Sequence, residues 1–142
     1  MNNDADLIVD NLYLGNLRAL ELYGTAFELI VNCTHGIDFP PDCPECIRLP
    51  VNDSPDDSEK LYELIIESNV LYRIHKTILK KNPVFVHCVA GMQRSCAVVA
   101  CYLIKYHSMT PDNAVEFIKK YRPIAFHTGV NFLKTLKKIH ND

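Results

Sequence analysis

The sequence predicts an α/β layered fold, and three observations lead there. Short apolar runs rich in β-branched and aromatic residues, at 27–33, 46–49 and 84–87, have the length of buried strands. They alternate with longer stretches whose apolar residues recur at helical spacing, and such alternation builds one layered α/β structure. A tight strand-loop-helix turn also runs from Val84 to Ser95, with a single glycine in its middle.

In chain order, 7–9 and 12–14 are two short strand-like runs around the turn pair Asp10-Asn11, and they form the sheet edge. Asn16 caps a short helix through Leu17, Leu20 and Leu22 that ends near Gly24. After strand 27–33, the segment 36–45 is a loop heavy in Pro and Asp, and strand 46–49 leads into 50–57. Ser58 is read as the cap of one long helix to about Lys81. Leu61, Leu64, Ile65, Leu71, Ile78 and Leu79 share its apolar face, with Glu59, Lys60, Glu63, Glu67 and Lys80 outside it. Asn82-Pro83 stops this helix before strand 84–87, and 95–104 is apolar enough for a buried helix. Thr110-Pro111 is an N-cap and first-position pair for a helix carrying Ala114, Val115, Phe117, Ile118 and Tyr121, which Arg122-Pro123 ends. A last helix from about Thr128 carries Phe132, Leu133, Leu136 and Ile139. No repeat or linker interrupts the pattern, so residues 1–142 read as a single domain.

A formal charge of −2 gives no global basic field to recruit nucleic acid or an anionic membrane. No apolar run approaches the ~18 residues of a membrane span. The opening Met1-Asn2-Asn3-Asp4 is polar and unlike a signal peptide, and Asn2 excludes a myristoylation start. The six cysteines then fit a reducing compartment better than a disulfide framework, which points to the cytoplasm, with the nucleus also open. Cys43 and Cys46 form a lone C-x-x-C on a proline-rich loop, short of zinc ligands and away from any helix start. Cys96 and Cys101 read as small core residues. The sequence calls for no metal or cofactor, and oligomeric state is not legible in it.

The chemistry concentrates at 87–95. A strand-loop-helix turn points successive N–H groups inward and adds the positive end of a helix dipole, which makes an anion site. Cys88 at its mouth has its thiolate stabilised and can act as a nucleophile. Arg94 adds a planar fork able to hold two phosphate oxygens. Val89, Ala90, Gly91, Met92 and Gln93 complete the cradle and carry no charge. No Lys follows the glycine, so this is not a Walker-type nucleotide loop.

His87-Cys88-x-x-Gly91-x-x-Arg94-Ser95 resembles the signature of cysteine-dependent protein tyrosine phosphatases. The closest likeness is to their small dual-specificity branch, including the compact single-domain forms of cells and large DNA viruses. Residues 11–16, 30–34, 49–54 and the segment from Arg122-Pro123 through Phe132 and Leu136 are similar to that branch's opening turn, first central strand, general-acid loop and last helical segment. The resemblance implies a mixed, mostly parallel sheet of about five strands with helices on both faces and the loop at the strands' carboxyl end.

It also implies roles. Cys88 attacks phosphorus, Arg94 and the loop N–H groups neutralise developing charge, and an acid on a facing loop protonates the leaving group. Asp53 is the acid expected by position, with Asp56 and Asp57 as rivals that also suit a helix N-terminus. Ser95 donates to the sulfur and also reads as a helix N-cap. His87 braces the loop rather than acting as base. Some phosphoinositide phosphatases of the superfamily resemble this chain in having a cysteine after Asn at the matching strand end, which makes Cys33 a redox partner of Cys88. Cys96 is a rival that lies a turn into a helix leading away from the pocket. The neutral loop favours phosphoprotein substrates carrying phosphotyrosine, phosphoserine or phosphothreonine. The alternatives are a silent phosphoprotein-binding module, or an RNA 5′-phosphatase or phosphoinositide phosphatase of the same superfamily. One departure stands out. After Arg122-Pro123 the family's Pro-Asn pair is missing and the segment is one residue longer, leaving His127, Thr128 or Asn131 to brace the site.

Overall fold

The computed structural model describes residues 2–142, so Met1 of the opening stretch lies outside the described residues. Five strands, β1 (Ala5–Val9), β2 (Leu12–Gly15), β3 (Leu29–Asn32), β4 (Glu45–Arg48) and β5 (Val84–His87), form one sheet in the order β1-β2-β5-β3-β4. β1 pairs antiparallel with β2 through a turn at Asn11, and every other pairing is parallel. This is the mixed, mostly parallel sheet the resemblance implies.

Six α-helices among the described residues build the layers around the sheet: α1 (Leu17–Tyr23), α2 (Ser58–Ser68), α3 (Val70–Leu79), α4 (Arg94–Tyr106), α5 (Pro111–Tyr121) and α6 (Leu133–Asn141). The strand period sorts the side chains between two cores. Leu29, Val31, Val84 and Val86 join the large core with α4, whose residues 95–104 are all buried. Ile30 and Phe85 face the other way and pack with Ala19 and Leu20 of α1 and with Phe27, whose ring stacks on Phe85 at 4.8 Å. Both faces are covered, which is why these strands read as continuous apolar runs rather than alternating ones.

Local caps follow sequence chemistry. Asn16 accepts from the Ala19 N–H and Thr110 from the Asn113 N–H, as their positions predict. The expected single helix to Lys81 is instead two. Asn69 adopts a left-handed conformation (φ 56°), ending α2 and starting α3, an arrangement asparagine tolerates well. The break shifts the helical phase, and Leu79, assigned to the apolar face, is 68% exposed. Ser58 is not the cap. A short 3₁₀ turn at Pro55–Asp57, capped by Ser54, precedes it and carries the chain into α2. Ser95 likewise lies inside α4, which begins at Arg94. The last helix starts at Leu133 rather than Thr128, because Phe126, Thr128 and Gly129 take positive φ values in a turn. No helix among the described residues is long and apolar enough to cross a membrane.

Candidate active site

The parallel strands end together: Gly15, Asn32 and His87 are register partners, and Arg48 pairs with Asn32. The loop 88–94 leaves central β5 at this edge, between β2 and β3, where connections diverge to either side and leave a crevice.

Every carbonyl from Cys88 to Met92 is held from outside the loop. Cys88 O lies 3.4 Å from His87 Nδ1, and Val89 O accepts from the Leu17 N–H at 3.0 Å. Ala90 O accepts from Arg122 Nη2 at 3.3 Å, and Gly91 O from Arg122 Nε at 2.8 Å and Cys96 Sγ at 3.4 Å. Met92 O accepts from the Phe126 N–H at 2.7 Å. A trans peptide sets its C=O and N–H on opposite sides, so turning these carbonyls out turns the N–H groups of residues 89–93 in. The Gly91 N–H donates to Cys88 Sγ at 3.3 Å. Those of Val89, Ala90, Met92 and Gln93 meet no acceptor among the described residues. Gly91 has φ +67°, and a Cβ there would lie 2.6 Å from Arg122 Nη2 and 2.7 Å from the Gly15 backbone, so only glycine fits.

Cys88 lines a cleft of about 330 Å³, and its Sγ lies 3.1 Å from Ser95 Oγ. Arg94 lines the same cleft. Its Nη1 donates to Val51 O at 3.1 Å, while its Nε is buried without a partner among the described residues. The donors around Sγ and the N-terminus of α4 all favour negative charge in this concavity. His87 is buried against Phe85, and burial pushes its imidazole down to about 4. It is therefore neutral near pH 7 and suited to bracing.

Of the three acids on the facing loop, only Asp53 lines the cleft. Asp57 accepts from the Asn52 N–H at 2.6 Å and Asp56 lines a separate groove with Lys134 and Lys138. Asn131 Nδ2 donates to Asp53 Oδ1 at 2.9 Å, and the Asn131 N–H donates to Gln93 Oε1 at 3.1 Å. Gln93 Nε2 in turn donates to the carbonyls of His127 and Gly129. The Gln93 side chain thus braces the turn that replaces the Pro-Asn pair, and Asn131 connects that turn to Asp53. Thr128 and His127 line the cleft wall.

Residues 12–142 match the family model of the dual specificity phosphatase catalytic domain. The chain belongs to the dual specificity phosphatase family. It is a phosphatase of the protein-tyrosine and dual-specificity type. It is 33% identical over 135 residues to a protein of Invertebrate iridescent virus 6 named as a tyrosine phosphatase, covering 91% of this chain and 87% of that one. It is also 33% identical to human dual specificity protein phosphatase 16, but spans only 21% of that longer relative. Among solved structures, human DUSP28 superposes with a TM-score of 0.84 at 23% identity, over 99% of this chain and 95% of that one. A mouse dual specificity phosphatase complexed with zinc tungstate gives 0.81 at 26% identity, over 97% and 87%.

Within this dual specificity phosphatase, sequence reasoning gave Arg122 no part in the site, noting it as the end of a helix and the start of the segment similar to the family's last helical segment. It is fully buried, and besides the loop carbonyls it reaches Asn3 O at 2.9 Å and Asp6 Oδ2 at 2.8 Å. A buried cation needs a carboxylate and several acceptors, but Asp6 lies far off in sequence and nothing local marked the pair. Cys96 also departs from expectation. Its thiol lies under the loop on Gly91 O rather than away from the pocket, and burial with the neighbouring Cys88 pushes its pKa up. Cys33 sits beside β5 as expected: its N–H donates to His87 O at 2.9 Å, and burial, then the Cys88 charge, raise its pKa well above the usual thiol value. No cluster of three or more His, Cys, Asp or Glu able to hold a metal occurs among the described residues.

Proposed function

We propose that residues 1–142 act as one catalytic domain that hydrolyses phosphotyrosine and phosphoserine or phosphothreonine esters of proteins through a phospho-cysteine. The observation that carries this reading is the ring of inward N–H groups around Cys88 Sγ, with Asp53 across the same cleft. A phosphate dianion seated there accepts from the loop and from Arg94 Nε, the buried donor that lacks a partner. Cys88 thiolate attacks phosphorus, a P–S bond forms as the P–O ester bond breaks, and Asp53 gives its proton to the departing oxygen. Water then attacks phosphorus with the Asp53 carboxylate as base. The P–S bond breaks, and Ser95 donates to the leaving sulfur, from which it lies 3.1 Å. His87, buried and turned to Cys88 O, holds the loop and takes no proton from substrate.

The side chains of Val89, Ala90, Met92 and Gln93 bring no charge to the cleft, so a polyanion such as a phosphoinositide or an RNA 5′-triphosphate finds few cations beyond Arg94. That favours a phosphoprotein monoester over nucleic acid or a membrane lipid. A nucleophilic thiol among six free cysteines fits the cytoplasm or nucleus. The mouse relative's complex with zinc tungstate supports a tetrahedral oxyanion as the probe of choice. The test is hydrolysis of p-nitrophenyl phosphate. Wild type should turn over, and Cys88→Ser should fall below about a hundredth of that rate while still binding tungstate. A fully active Cys88→Ser would assign the reaction to another nucleophile. An inert wild type that still captures phosphoproteins would make the chain a binding module. Pull-down with Asp53→Ala then names the substrate.

A further inference from the structure

The two peptide planes that Arg122 holds are not an arbitrary pair. They are the 90–91 and 91–92 peptides, on either side of the loop's only glycine. Glycine visits both signs of φ with little penalty, so these are the two planes of the cradle most able to flip. A flipped plane would aim a carbonyl oxygen at the bound dianion in place of a donor.

Arg122 is equipped to prevent this. Its Nε and Nη2 take the two carbonyls, and its Nη1 takes Asp6 Oδ2 and Asn3 O. The other oxygen of Asp6 accepts from Asn3 Nδ2 at 2.8 Å, so the carboxylate is itself fixed. The guanidinium thereby ties the end of α5 and the edge strand β1 to the floor of the cradle. Its position is further defined by contact, since a Cβ on Gly91 would strike Nη2.

We propose that the Arg122–Asp6 pair is a positioning device that locks both peptide planes flanking Gly91 in the anion-binding orientation. This rests on the phosphatase reading above. Arg122 touches no reacting atom. It sets the affinity of the folded cradle for a tetrahedral oxyanion, and a purely structural role would instead lower stability and leave that affinity unchanged.

The experiment compares wild type with Arg122→Lys, Asp6→Asn and, as a stability control, Ala114→Gly in the same helix. The readouts are thermal melting, the inhibition constant of tungstate, and kcat and KM for p-nitrophenyl phosphate, at a temperature where each variant is folded. A lysine cannot serve both carbonyls and the carboxylate. Losing hydrogen bonds of a charged donor predicts roughly tenfold to hundredfold weaker tungstate binding and a similar fall in kcat/KM. Asp6→Asn keeps the shape of the side chain, and removing the charge that fixes the guanidinium should weaken tungstate by about twofold to fivefold. Ala114→Gly should lower the melting temperature and leave the tungstate constant unchanged. Should Arg122→Lys not fold, Asp6→Asn carries the test alone. Folded variants at both positions that bind tungstate like wild type would overturn the proposal while leaving the phosphatase reading intact. A wild type that neither binds tungstate nor hydrolyses the ester would remove both.

Discussion

The loop after β5 and the loop after β4 reach into the same cleft, and they are held in opposite ways. In the cradle every carbonyl from Cys88 to Met92 is held by a donor outside the loop, and the five donor residues are His87, Leu17 of α1, Cys96 of α4, Arg122 at the α5 end, which holds two of the carbonyls, and Phe126 of the following turn. In the loop after β4 Asn52 and Asp53 are exposed. Their tethers are single contacts: Arg94 on Val51 O, His35 beside Asn52, Asp57 on the Asn52 N–H and Asn131 on Asp53. The difference fits the roles proposed for the two loops. Stabilising developing charge needs dipoles that do not reorganise during the reaction. A group that first donates a proton and then activates water needs access to solvent between the two steps.

The largest expected effect separates the two loops by function. Asp53→Asn should lower kcat by ~10²–10⁴ for alkyl phosphates, matter far less for esters whose leaving group needs no proton, and leave tungstate affinity unchanged. If Asp56→Asn gives that signature and Asp53→Asn does not, the acid has been assigned to the wrong carboxylate.

Acid should attack the cradle side. His87 titrates near 4 in the folded protein because it is buried, against about 6.5 in an unfolded chain. Above about pH 6.5 both states are neutral there and no difference arises. Below it the unfolded chain takes up a proton that the folded protein refuses, so stability should fall as pH drops from about 6.5 to about 4, by about 3 kcal/mol. Denaturant titrations of wild type and His87→Asn across that range provide the check, since the variant should lose this part of the slope.

Oxidation also distinguishes the loops, because only the cradle carries a thiol, that of Cys88. Peroxide converts Cys88 thiolate to sulfenic acid, and attack by a neighbouring thiol releases water and forms a disulfide. Cys33 is the expected partner, so dithiothreitol should restore wild type, while Cys33→Ser should recover less completely as sulfenic acid proceeds to sulfinic acid. Cys96 lies under the same loop, and peptide mapping that joins Cys88 to Cys96 would transfer the role to it.

The smallest effect probes the single tether of the proposed acid. Asn131→Ala removes an exposed hydrogen bond and should lower kcat by about twofold to tenfold with no change in tungstate binding. A change in the tungstate constant would show that Gln93 and the 126–131 turn transmit the loss to the cradle.

Much of this was legible in the sequence because it rests on local chemistry. The strand-to-helix motif at 87–95, the capping residues Asn16 and Thr110, and the turn at Asp10-Asn11 each act within a few residues, so their spacing carries their meaning. The apolar runs 29–32 and 84–87 declared buried central strands because both faces of the sheet are covered. Periodicity did not show the break at Asn69, since apolar residues recur at near-helical spacing on both sides of it and α2 and α3 bury them against the same large core. Which of three nearby acids lines the cleft with Cys88 was decided by the 3₁₀ turn at Pro55–Asp57, which commits Asp57 to the Asn52 N–H and leaves Asp56 lining a separate groove. The pairing of Arg122 with Asp6, more than a hundred positions apart (|i−j| of 116), exists only once β1 lies beside the end of α5. The proposed nucleophile and its cradle are written in the order of the chain. What holds the cradle's carbonyls outward was decided by tertiary structure, because buried charges and carbonyls are satisfied by whatever folding brings within three ångströms, wherever it lies in the sequence.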